Sequence, residues 1–542
     1  MHTKYIFVMG GVLSGLGKGI VTSSIGKILQ AQGFNVTAVK IDPYINLDAG
    51  TMRPTEHGEV WVTEDGGEID QDLGNYERFL NKDVPKRHNI TTGQIFKAVI
   101  DRERRLEYGG RDVEMFPDII NEIKERIMSV ADGNDFVLVE VGGTSGDLEN
   151  MPFLHACREI GRENPAVFIL VTYLPFLKNV GELKTKPTQH AAMNLRQVGI
   201  FPDFIVTRSE KKLDEPRRWT IAKRCFIDRE NVIDDPDTQS IYSVPLIFEE
   251  QKLGEKILKK FGIEPKSSDG LTGWKHRLRN LLESDKIVKI GVIGKYVKHG
   301  DAEHGDVYLS VLEALKHACA EIGVTPVIEQ LQSTTIEAEG IERLKKYDGI
   351  VIPGGFGATG TEGIVTTIKY CRENKVPFLG LCYGLQMAVI EFARNVAGMP
   401  TANTTENNCD TCHPVIDMLP EQKDLIKLKQ FGATMRLGAY PAVLKEGSQV
   451  RKIYGKEHIS ERHRHRYEVN PDFIAQLEEK GMLFSGQSPD RRLMEFLELP
   501  NHPFFIATQA HPEFRSRFEG PSPLFVAFVK AAMENNPVQK TL

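Results

Sequence analysis

The sequence predicts an α/β protein built from two doubly wound parallel-sheet domains. In both halves of the 542 residues, short apolar runs typical of buried strands alternate with helical patterns, which favours parallel sheets covered by helices on both faces. A chain of this length is longer than one hydrophobic core usually supports. The alternation weakens near Phe261–Ser268, where the string PKSSDG at 265–270 is typical of a linker. We therefore expect domains at 1–266 and 287–537, with a linker at 267–286.

Each domain has its own series of strand-like runs. Those of the first domain are, in chain order, Tyr5–Met9, Val36–Val39, Phe136–Val141, Val167–Thr172 and Phe204–Thr207. A short amphipathic helix is expected at about 274–282, at the end of the linker. Those of the second domain are Ile287–Ile293, Val324–Ile328, Gly349–Ile352, Pro377–Leu381 and Phe504–Thr508. No internal repeat or low-complexity tract competes with this two-domain interpretation.

The composition is that of an ordinary soluble globular protein. Hydrophobic residues make up 41% and charged residues 26% of the chain. A net charge of -6 argues against nonspecific nucleic-acid binding as the main task. No apolar run approaches the length of a membrane span, and the N-terminus lacks the layout of a signal peptide. Seven cysteines are few for this length and indicate reduced thiols, so we expect a cytoplasmic protein without membrane or nucleic-acid partners.

A cysteine between two glycines is the strongest catalytic signal in the chain. Cys382 lies between Gly380 and Gly384, after the apolar run 376–379 and before a predicted helix at 385–394. Glycines at these positions permit a sharp backbone elbow and the close approach of a substrate. The helix N-terminus favours both a thiolate and an oxyanion. The alternative is a buried core thiol, the commonest state of an isolated cysteine.

A histidine and a glutamate near the end of the chain complete a catalytic set. We expect the strand near Phe504 to continue in extended form through His511 and Glu513, so that the two side chains share a face. Glu513 would then orient His511, and His511 would act as the base for Cys382. The glycines of the run 350–357 offer N–H groups that stabilise an oxyanion.

A glycine-rich loop at 10–19 predicts a phosphate site in the first domain. The loop lies between the first strand and a helix expected to begin near Ile20. Its N–H groups can surround phosphate oxygens, and Lys18 adds a positive charge. The spacing differs from the Walker A pattern, and Gly19 stands where a Ser or Thr would ligate magnesium. A bound metal would therefore need ligands from elsewhere in the chain.

Two carboxylates are candidates for that metal. Glu140 lies in an otherwise apolar strand, where an unpaired charge is costly, and Asp72 follows an acidic stretch. Oxygen ligands that leave room for phosphates and water suit Mg²⁺. The alternative for Asp72 is a solvated turn acid. Lys40, at the end of the second strand, is either a lysine that reaches to solvent or a second charge for phosphate.

Taken together, these segments resemble the CTP synthase family, in which an amidoligase domain is fused to a class I glutamine amidotransferase domain. The resemblance extends from Tyr5 to Phe528. Its most specific strings are KTKPTQ at 184–189 and LGNYERF at 73–79. The other matching strings are GKG at 17–19, KIDPY at 40–44, EHGE at 56–59, GGT at 142–144, GDLE at 146–149 and RHRHRYEVN at 462–470.

The resemblance implies a reaction in three stages. ATP phosphorylates the C4 oxygen of UTP, glutamine is hydrolysed at a second site, and the released ammonia travels internally to displace the phosphate and give CTP. It also implies CTP as feedback inhibitor, GTP as allosteric activator, Mg²⁺ as cofactor and a homotetrameric assembly. The domain at 1–266 would be the amidoligase, and that at 287–537 the amidotransferase.

The resemblance further assigns roles to residues of this chain. Phosphate and transition-state contacts would come from Lys18 and Lys40, and metal ligation from Asp72 and Glu140. ATP would be held by Gly15, Leu16, Gly17, Lys18, Gly19, Ile20, Asp72, Gln239, Ser240 and Ile241. UTP or CTP would be held by Ser14, Asp147, Leu148, Glu149, Lys184, Thr185, Lys186, Pro187, Thr188 and Gln189. Glutamine would be held by Gly355, Tyr383, Gly384, Leu385, Gln386, Glu406 and Arg466, with Cys382, His511 and Glu513 as catalytic residues.

The chain departs from the family pattern at three positions. Thr220 replaces a usual lysine, which leaves open whether Lys223 takes its place. Ala510 replaces an aromatic residue before His511, so looser packing of the histidine is expected there. Tyr383 replaces a common leucine beside the nucleophile. None of these changes removes a catalytic group.

Two short patterns suggest other functions. The string CDTCH at 409–413 matches haem c attachment, but that chemistry needs export, and a zinc site would need further ligands. A redox-sensitive thiol pair is the remaining alternative. The basic run 462–466 is typical of a nucleic-acid patch. Rival interpretations of the whole chain are another amidoligase–amidotransferase fusion, such as a cobyric acid synthase, and a nucleotide-switch scaffold like the partitioning ATPases.

Overall fold

The computed structural model describes residues 3–52, 58–267, 270–295, 298–299, 302–303, 307–418, 422 and 434–535. The chain forms two compact units, one of Met1–Ala49 with Asp72–Lys275 and one of Gly50–Gln71 with His276–Leu542. A short piece of the N-terminal half therefore folds with the C-terminal half. Within the described ranges, no helix is both long and apolar enough to cross a membrane.

The strands are numbered along the chain. They are β1 Lys4–Gly10, β2 Val36–Asp42, β3 Val60–Val62, β4 Glu68–Asp70, β5 Asn89–Thr91, β6 Phe136–Val141, β7 Ala166–Tyr173, β8 Phe176–Leu177, β9 Glu182–Leu183, β10 Phe204–Ser209, β11 Val232–Pro236, β12 Ile287–Gly294, β13 Lys298–His299, β14 Ala302–Glu303, β15 Thr325–Gln332, β16 Gly349–Ile352, β17 Phe378–Leu381, β18 Ala402–Thr404, β19 His413–Met418, β20 Arg436–Leu444, β21 His458–His465, β22 Tyr467–Val469, β23 Leu483–Gln487, β24 Met494–Glu498 and β25 Phe505–Thr508.

The α-helices are numbered in the same way. They are α1 Lys18–Ala31, α2 Asp72–Leu80, α3 Thr92–Arg104, α4 Ile120–Met128, α5 Met151–Glu163, α6 Lys186–Gln197, α7 Glu215–Cys225, α8 Val244–Glu250, α9 Leu253–Lys260, α10 Thr272–Leu282, α11 Leu309–Ile322, α12 Ser333–Glu339, α13 Thr361–Asn374, α14 Tyr383–Asn395, α15 Gln449–Tyr454, α16 Ile474–Glu479 and α17 Pro523–Asn535.

The first unit is built on a parallel sheet of seven strands in the order β11-β10-β7-β1-β6-β2-β5. Its central strands are buried along nearly their whole length, as expected where helices cover both faces. β1 lies between β6 and β7. The connection after β1 leads toward β2 on one side, and the connection after β6 leads to β7 on the other, so the strand order reverses at β1 and β6. Ligands bind at such a switch point in open α/β sheets, and the glycine-rich loop begins there.

The second unit contains a mixed sheet of nine strands in the order β15-β12-β16-β17-β25-β24-β23-β20-β21. The part from β15 to β25 is parallel, as the sequence predicts. The part from β24 to β21 is antiparallel and was not predicted. Its strands carry many polar residues, so they lack the continuous apolar runs by which the parallel strands were recognised.

The segment 50–71 packs on the second unit through buried aromatic and charged side chains. Trp61 is fully buried and contacts the ring of Phe514 edge-on at 5.1 Å between centroids. The guanidinium of Arg462, also fully buried, donates to the carboxylate of Glu64 at 3.1 Å and to the carbonyl of Val62 at 3.0 Å. These contacts explain why the segment leaves the first unit although it lies within the N-terminal half of the sequence.

Candidate functional site

Cys382 occupies a strained elbow between β17 and α14. Its backbone has φ 50° and ψ −97°, an unusual conformation for a residue other than glycine. A Cβ at Gly384 would lie 2.4 Å from the carbonyl oxygen of Ile352, and one at Gly380 would lie 2.9 Å from the Cβ of Ala507. Both neighbours must therefore be glycine for the elbow to pack between β16 and β25. The elbow holds the thiol at the N-terminus of α14, where the helix dipole favours negative charge.

The thiol of Cys382 is buried, with 5% of the residue exposed. Its Sγ lies 3.7 Å from the amide nitrogen of Gln509 and 3.9 Å from the carbonyl oxygen of Arg464. The backbone N–H of Cys382 donates to the carbonyl of Thr508 at 2.7 Å, which ties the elbow to the end of β25. The residues that follow β25 are thereby brought beside the thiol.

His511 and Glu513 form the expected pair, although the backbone between them differs from the prediction. Nδ1 of His511 lies 2.6 Å from Oε1 of Glu513. The segment is not extended, because Pro512–Arg515 forms a 3₁₀ turn with His511 at its start. Pro512 fixes φ and favours this turn at its first position. The pairing therefore arises from a tight turn and not from the alternation of a strand.

The surroundings of His511 favour its charged form. Burial alone would lower the pKa of the imidazole, but the Glu513 carboxylate and the Cys382 thiol raise that pKa to about 10. Nε2, the other ring nitrogen, is buried without a hydrogen-bond partner among the described residues. The ring stacks on Phe514 with 5.2 Å between centroids. It is therefore packed firmly, and the looser packing expected from Ala510 is not observed at this face.

The glycine loop after β16 packs directly on this imidazole. A Cβ at Gly354 would lie 2.9 Å from Cε1 of His511, so a larger residue would displace the ring. Gly357 has φ 78° and donates its N–H to the carboxylate of Glu406 at 3.1 Å. The structure thus brings the glycine loop, the imidazole of His511 and the thiol of Cys382 into one place.

A cavity of about 620 Å³ opens on the thiol. Of the residues proposed from the sequence, seven line it: Gly355, Cys382, Gln386, Glu406, Arg466, His511 and Glu513. Tyr383, Gly384 and Leu385 are not among its lining residues and lie in the first turn of α14 behind the thiol. The cavity is large enough for a free amino acid with an extended side chain.

Charged side chains of opposite sign line the cavity. Arg466 donates to the side chains of Gln422 at 2.6 Å and Thr434 at 3.0 Å. Burial raises the pKa of Glu406, while the N–H of Gly357 and the charge of Lys295 act against that rise. An arginine and a glutamate in one cavity match the carboxylate and ammonium groups of an amino acid.

Several wall residues were missed by sequence reasoning. The segment 50–71 contributes Gly50, Thr51, Met52, Glu59 and Val60 to the lining. The string EHGE at 56–59 signalled a functional segment but not its place in the second unit, and residues 53–57 lie outside the described ranges. Oε2 of Glu59 accepts from the N–H of Ser310 at 2.8 Å, which holds this wall in position.

The glycine-rich loop of the first unit ends in α1, which begins at Lys18 and is preceded by Gly17 with φ 77°. Nζ of Lys18 donates to the carbonyl of Gly143 at 2.9 Å, directly after β6. Burial lowers the pKa of Lys18, while the nearby carboxylates, Glu140 first among them, act to raise it. Ser14 and Gly15 are exposed, whereas Leu16, Lys18 and Gly19 are buried. The loop therefore presents its tip to solvent and buries its lysine.

Lys40 joins the two carboxylates that the sequence proposes as metal ligands. Its ammonium donates to Asp72 and, at 3.0 Å, to Oε1 of Glu140. Only 5% of Lys40 is exposed, so the alternative of a lysine reaching to solvent is wrong. Burial and the charge of Asp72 raise the pKa of Glu140, and burial raises that of the neighbouring Asp42 to about 6. The three carboxylates of Asp42, Asp72 and Glu140 thus lie around the ammonium of Lys40.

Gly19 explains how Asp72 reaches the phosphate loop. A Cβ at Gly19 would lie 2.4 Å from Oδ1 of Asp72. The carboxylate at the start of α2 thus occupies the space that a side chain at position 19 would fill. In the Walker A pattern that side chain is the Ser or Thr on magnesium, so Asp72 supplies an oxygen near the same place. The donor set of Asp72 and Glu140 fits a magnesium ion that also takes phosphate oxygens and water.

The other residues that the sequence proposes for nucleotide binding follow strands of the first unit. Asp147 follows β6 and accepts from the N–H of Thr144 at 2.7 Å, with Leu148 and Glu149 exposed beside it. Lys184 pairs with Glu182 after β9, and Thr185 to Gln189 open α6, where Thr188 is buried against Thr172 at 3.2 Å. Gln239 to Ile241 follow β11, where Ser240 caps the next turn.

The structure shows the surroundings of three segments whose roles the sequence leaves open. The hydroxyl of Thr220 donates to its own helix at Pro216, and Nζ of Lys223 lies 4.7 Å from the ring centroid of Trp219. Cys409 and Cys412 are exposed and free. Within the described residues, no group of three His, Cys, Asp or Glu side chains is arranged to hold a metal ion. In the basic run 462–466, which is typical of a nucleic-acid patch, Arg462 is fully buried within the second unit.

Comparisons with known proteins agree with this architecture. Residues 4–263 match a family model described as CTP synthase N-terminus, and residues 304–531 match one described as glutamine amidotransferase class-I. A CTP synthase of Thermococcus gammatolerans is 50% identical over 98% of this chain and 99% of its own. One of Pyrococcus abyssi is 51% identical over 98% of each chain. The solved glutaminase domain of Trypanosoma brucei CTPS with bound acivicin is 36% identical over 46% of this chain and 95% of that chain, with a TM-score of 0.42.

Proposed function

The chain belongs to the CTP synthase family, and from that membership we propose that it aminates UTP to CTP with ATP and the nitrogen of glutamine. One observation carries the proposal. A cavity lined by Cys382, His511 and Glu513 and a phosphate loop packed on Asp72 occur in the same chain. The first site is suited to releasing ammonia, and the second is suited to activating an oxygen as a phosphate ester.

Glutamine hydrolysis is proposed for the cavity of the second unit. The sulfur of Cys382 attacks the side-chain amide carbon, and the N–H groups of the elbow and glycine loop stabilise the oxyanion. As the C–N bond breaks, His511 gives a proton to the departing ammonia, and Glu513 holds the imidazolium. Water then cleaves the thioester and releases glutamate. Arg466 is proposed to bind the α-carboxylate of glutamine and Glu406 its α-ammonium group.

Phosphoryl transfer is proposed for the first unit. The N–H groups of the loop 15–20 and the ammonium of Lys18 would bind the phosphates of ATP, with Gln239 to Ile241 near the adenine. Asp72 and Glu140 would hold Mg²⁺, which, when bound, neutralises phosphate charge. Lys40, which already bridges these carboxylates, would add positive charge where the transferred phosphoryl group carries negative charge.

UTP is proposed to bind through Ser14, Asp147 to Glu149 and Lys184 to Gln189. Its C4 oxygen takes the terminal phosphoryl group of ATP, which converts a poor leaving group into phosphate. Ammonia then forms the C4–N bond, and inorganic phosphate leaves. We propose the first unit as the amidoligase and the second as the amidotransferase, joined near residues 267–286. CTP inhibition, GTP activation, a homotetramer and a cytoplasmic location are proposed with them from the family.

A direct assay tests the proposal. Purified full-length protein is incubated with UTP, ATP and Mg²⁺ and with either glutamine or an ammonium salt, and CTP, ADP and glutamate are quantified. We expect CTP from both nitrogen sources, with glutamate formed only in the first. Absence of CTP with both sources would refute the proposed function.

A further inference from the structure

A buried lysine outside the catalytic set lies behind the glycine loop. Lys295 follows β12 directly, and only 7% of it is exposed. Its ammonium donates to the carbonyl of Gly357, to the hydroxyl of Tyr383 at 2.8 Å and to the carbonyl of Phe356 at 3.3 Å. The hydroxyl of Thr361 lies 3.4 Å from the same ammonium, so its three N–H donors are shared among the loop, the first residue of α14 and the first residue of α13.

Tyr383, the residue directly after the nucleophile, completes the contact. Nζ of Lys295 lies 4.2 Å from the centroid of its ring, a cation–π arrangement. Its hydroxyl accepts from Lys295 and, at 3.3 Å, from the side chain of Asn407, and it donates to the carbonyl of Gly357 at 3.1 Å. The hydroxyl of Thr361 also lies within hydrogen-bond distance of the phenol oxygen, at 3.1 Å.

The two side chains contact the parts of the backbone that are suited to stabilise an oxyanion. At a nucleophile elbow, one oxyanion donor is the N–H of the residue after the nucleophile, which here is Tyr383. A second would come from the glycine loop. A Cβ at Gly355 would lie 3.6 Å from Cδ of Lys295 and 3.8 Å from Cδ1 of Tyr383, so Gly355 rests on both side chains.

The peptide between Phe356 and Gly357 is held from both ends. Its carbonyl accepts from Lys295 at 3.3 Å, and its N–H donates to Glu406 at 3.1 Å. Without the ammonium, the carbonyl of Phe356 would lose this donor, and the carbonyl of Gly357 would keep only the donor from the hydroxyl of Tyr383. The loop would then lose its fixed distance to the elbow.

We propose that Lys295 and Tyr383 form a positioning pair that fixes the glycine loop 354–357 relative to Cys382 and thereby sets the oxyanion site for glutamine hydrolysis. This inference rests on the proposed glutaminase activity of the same cavity. The side chains of the pair touch no reacting atom, so their effect is on the geometry of the transition state. Displacements of this kind reduce rates by up to about 100-fold.

The charge of Lys295 adds a pH readout. Burial lowers the pKa of its ammonium to about 8, while Glu406 and Glu337, the carboxylates whose charge acts on it, oppose that shift. As the pH rises through this value, the lysine loses a proton and one donor. A packing role alone would not produce a change in rate at this pH.

The decisive variants are Lys295→Met, Tyr383→Phe and their combination, each measured for glutamine hydrolysis and for CTP synthesis from ammonia. We expect Lys295→Met to lower kcat of glutamine hydrolysis by about 10- to 100-fold, with KM for glutamine changed less than about threefold. Tyr383→Phe should lower kcat of glutamine hydrolysis less than Lys295→Met does, because the aromatic ring remains. In the double variant the loss should be smaller than the product of the two single losses, since the two changes share the contact between Nζ of Lys295 and the phenol. CTP synthesis from ammonia should be unchanged and shows that each variant is folded.

Lys346→Met is the matched control. Nζ of Lys346 also lies over a tyrosine ring, 5.1 Å from the centroid of Tyr347, but it is exposed and precedes β16, whereas the loop follows that strand. We expect wild-type activity from this control. In the wild type, kcat of hydrolysis should decline above about pH 8, and Lys295→Met should lack that decline.

The outcomes separate this inference from the proposed function. A wild type that hydrolyses no glutamine refutes the proposed function itself. An active wild type with Lys295→Met within about threefold in kcat refutes the positioning pair. A rise in KM alone would also refute it, because Lys295 would then act on substrate binding through Glu406.

Discussion

At the scale of single residues, the second unit places a cysteine, a histidine and a glutamate where each changes the chemistry of the next. The cysteine is strained by its elbow, and the histidine gains its charge from the glutamate and the thiol. In the first unit, the ammonium of Lys40 contacts both Asp72 and Glu140 and offsets the repulsion between the two carboxylates. Single substitutions should therefore separate the two activities.

Replacing the nucleophile separates nitrogen release from nitrogen use. Cys382→Ala should abolish glutamine-dependent CTP synthesis, by at least about 1,000-fold, because no other thiol can form the thioester. Synthesis from ammonia should stay within about twofold of the wild type, since Cys382 does not act on the nucleotide. Both rates are measured by the appearance of CTP. Cys409→Ser, at an exposed thiol, is the control, and loss of both activities in folded Cys382→Ala would contradict the division of labour.

The imidazolium of His511 predicts a pH dependence of folding. Its pKa is raised to about 10 in the folded state from an ordinary value of 6.5. The stabilisation is therefore complete below pH 6.5 and is lost as the pH rises through about 10. Glu513→Gln removes the carboxylate that is the first of the two raising groups, so the free energy of unfolding should fall less with pH between these values. Denaturant titrations of both proteins across this range measure the difference, and parallel curves would contradict the ion pair.

At the scale of elements, sequence patterns identify strands that are apolar on both faces and miss strands whose side chains are polar but buried. The parallel strands were predicted because burial on both sides requires continuous apolar runs, as in β6. Strand β21 was missed, and its residues were weighed as a nucleic-acid patch, because burial of Arg462, His463 and His465 depends on partners from distant segments. The pairing of His511 with Glu513 was predicted from an extended backbone, whereas the structure forms it through a 3₁₀ turn. The contact of Lys295 with the loop had no sequence signal, because it joins residues about 60 positions apart.

The approach of α1 to α2 gives a prediction at this scale. Gly19→Ala places a Cβ 2.4 Å from Oδ1 of Asp72, so the carboxylate or the helix must move. We expect synthesis from ammonia to fall by at least about tenfold, with a stability loss of about 1–3 kcal/mol. Glutamine hydrolysis, measured as glutamate release, should be retained. Gly273→Ala is the control, since a Cβ there meets nothing within 4 Å and α10 tolerates alanine. Unchanged synthesis by Gly19→Ala would show that Asp72 is not needed near the loop.

At the scale of the whole molecule, the chain crosses between its two units more than once. The family models place the amidotransferase match at 304–531, yet the compact second unit also includes 50–71. That segment supplies five wall residues of the cavity and a carboxylate for buried Arg462. An arginine left buried without its partner is strongly destabilising. The compact unit that holds the cavity therefore includes part of the N-terminal half of the sequence.

A fragment comparison tests this dependence. Residues 276–542 expressed alone lack Glu59, Val60 and Trp61, so one wall of the cavity is absent and the ring of Phe514 loses its aromatic neighbour. We expect KM for glutamine to rise by about tenfold or more relative to the full chain, because binding residues and the exclusion of water are lost together. Glu64→Gln in the full chain, which keeps the wall but weakens the contact with Arg462, should show a smaller rise. The measurement is glutamate release at several glutamine concentrations. A fragment with wild-type KM would mean that the segment 50–71 closes the cavity without contributing to the binding of glutamine.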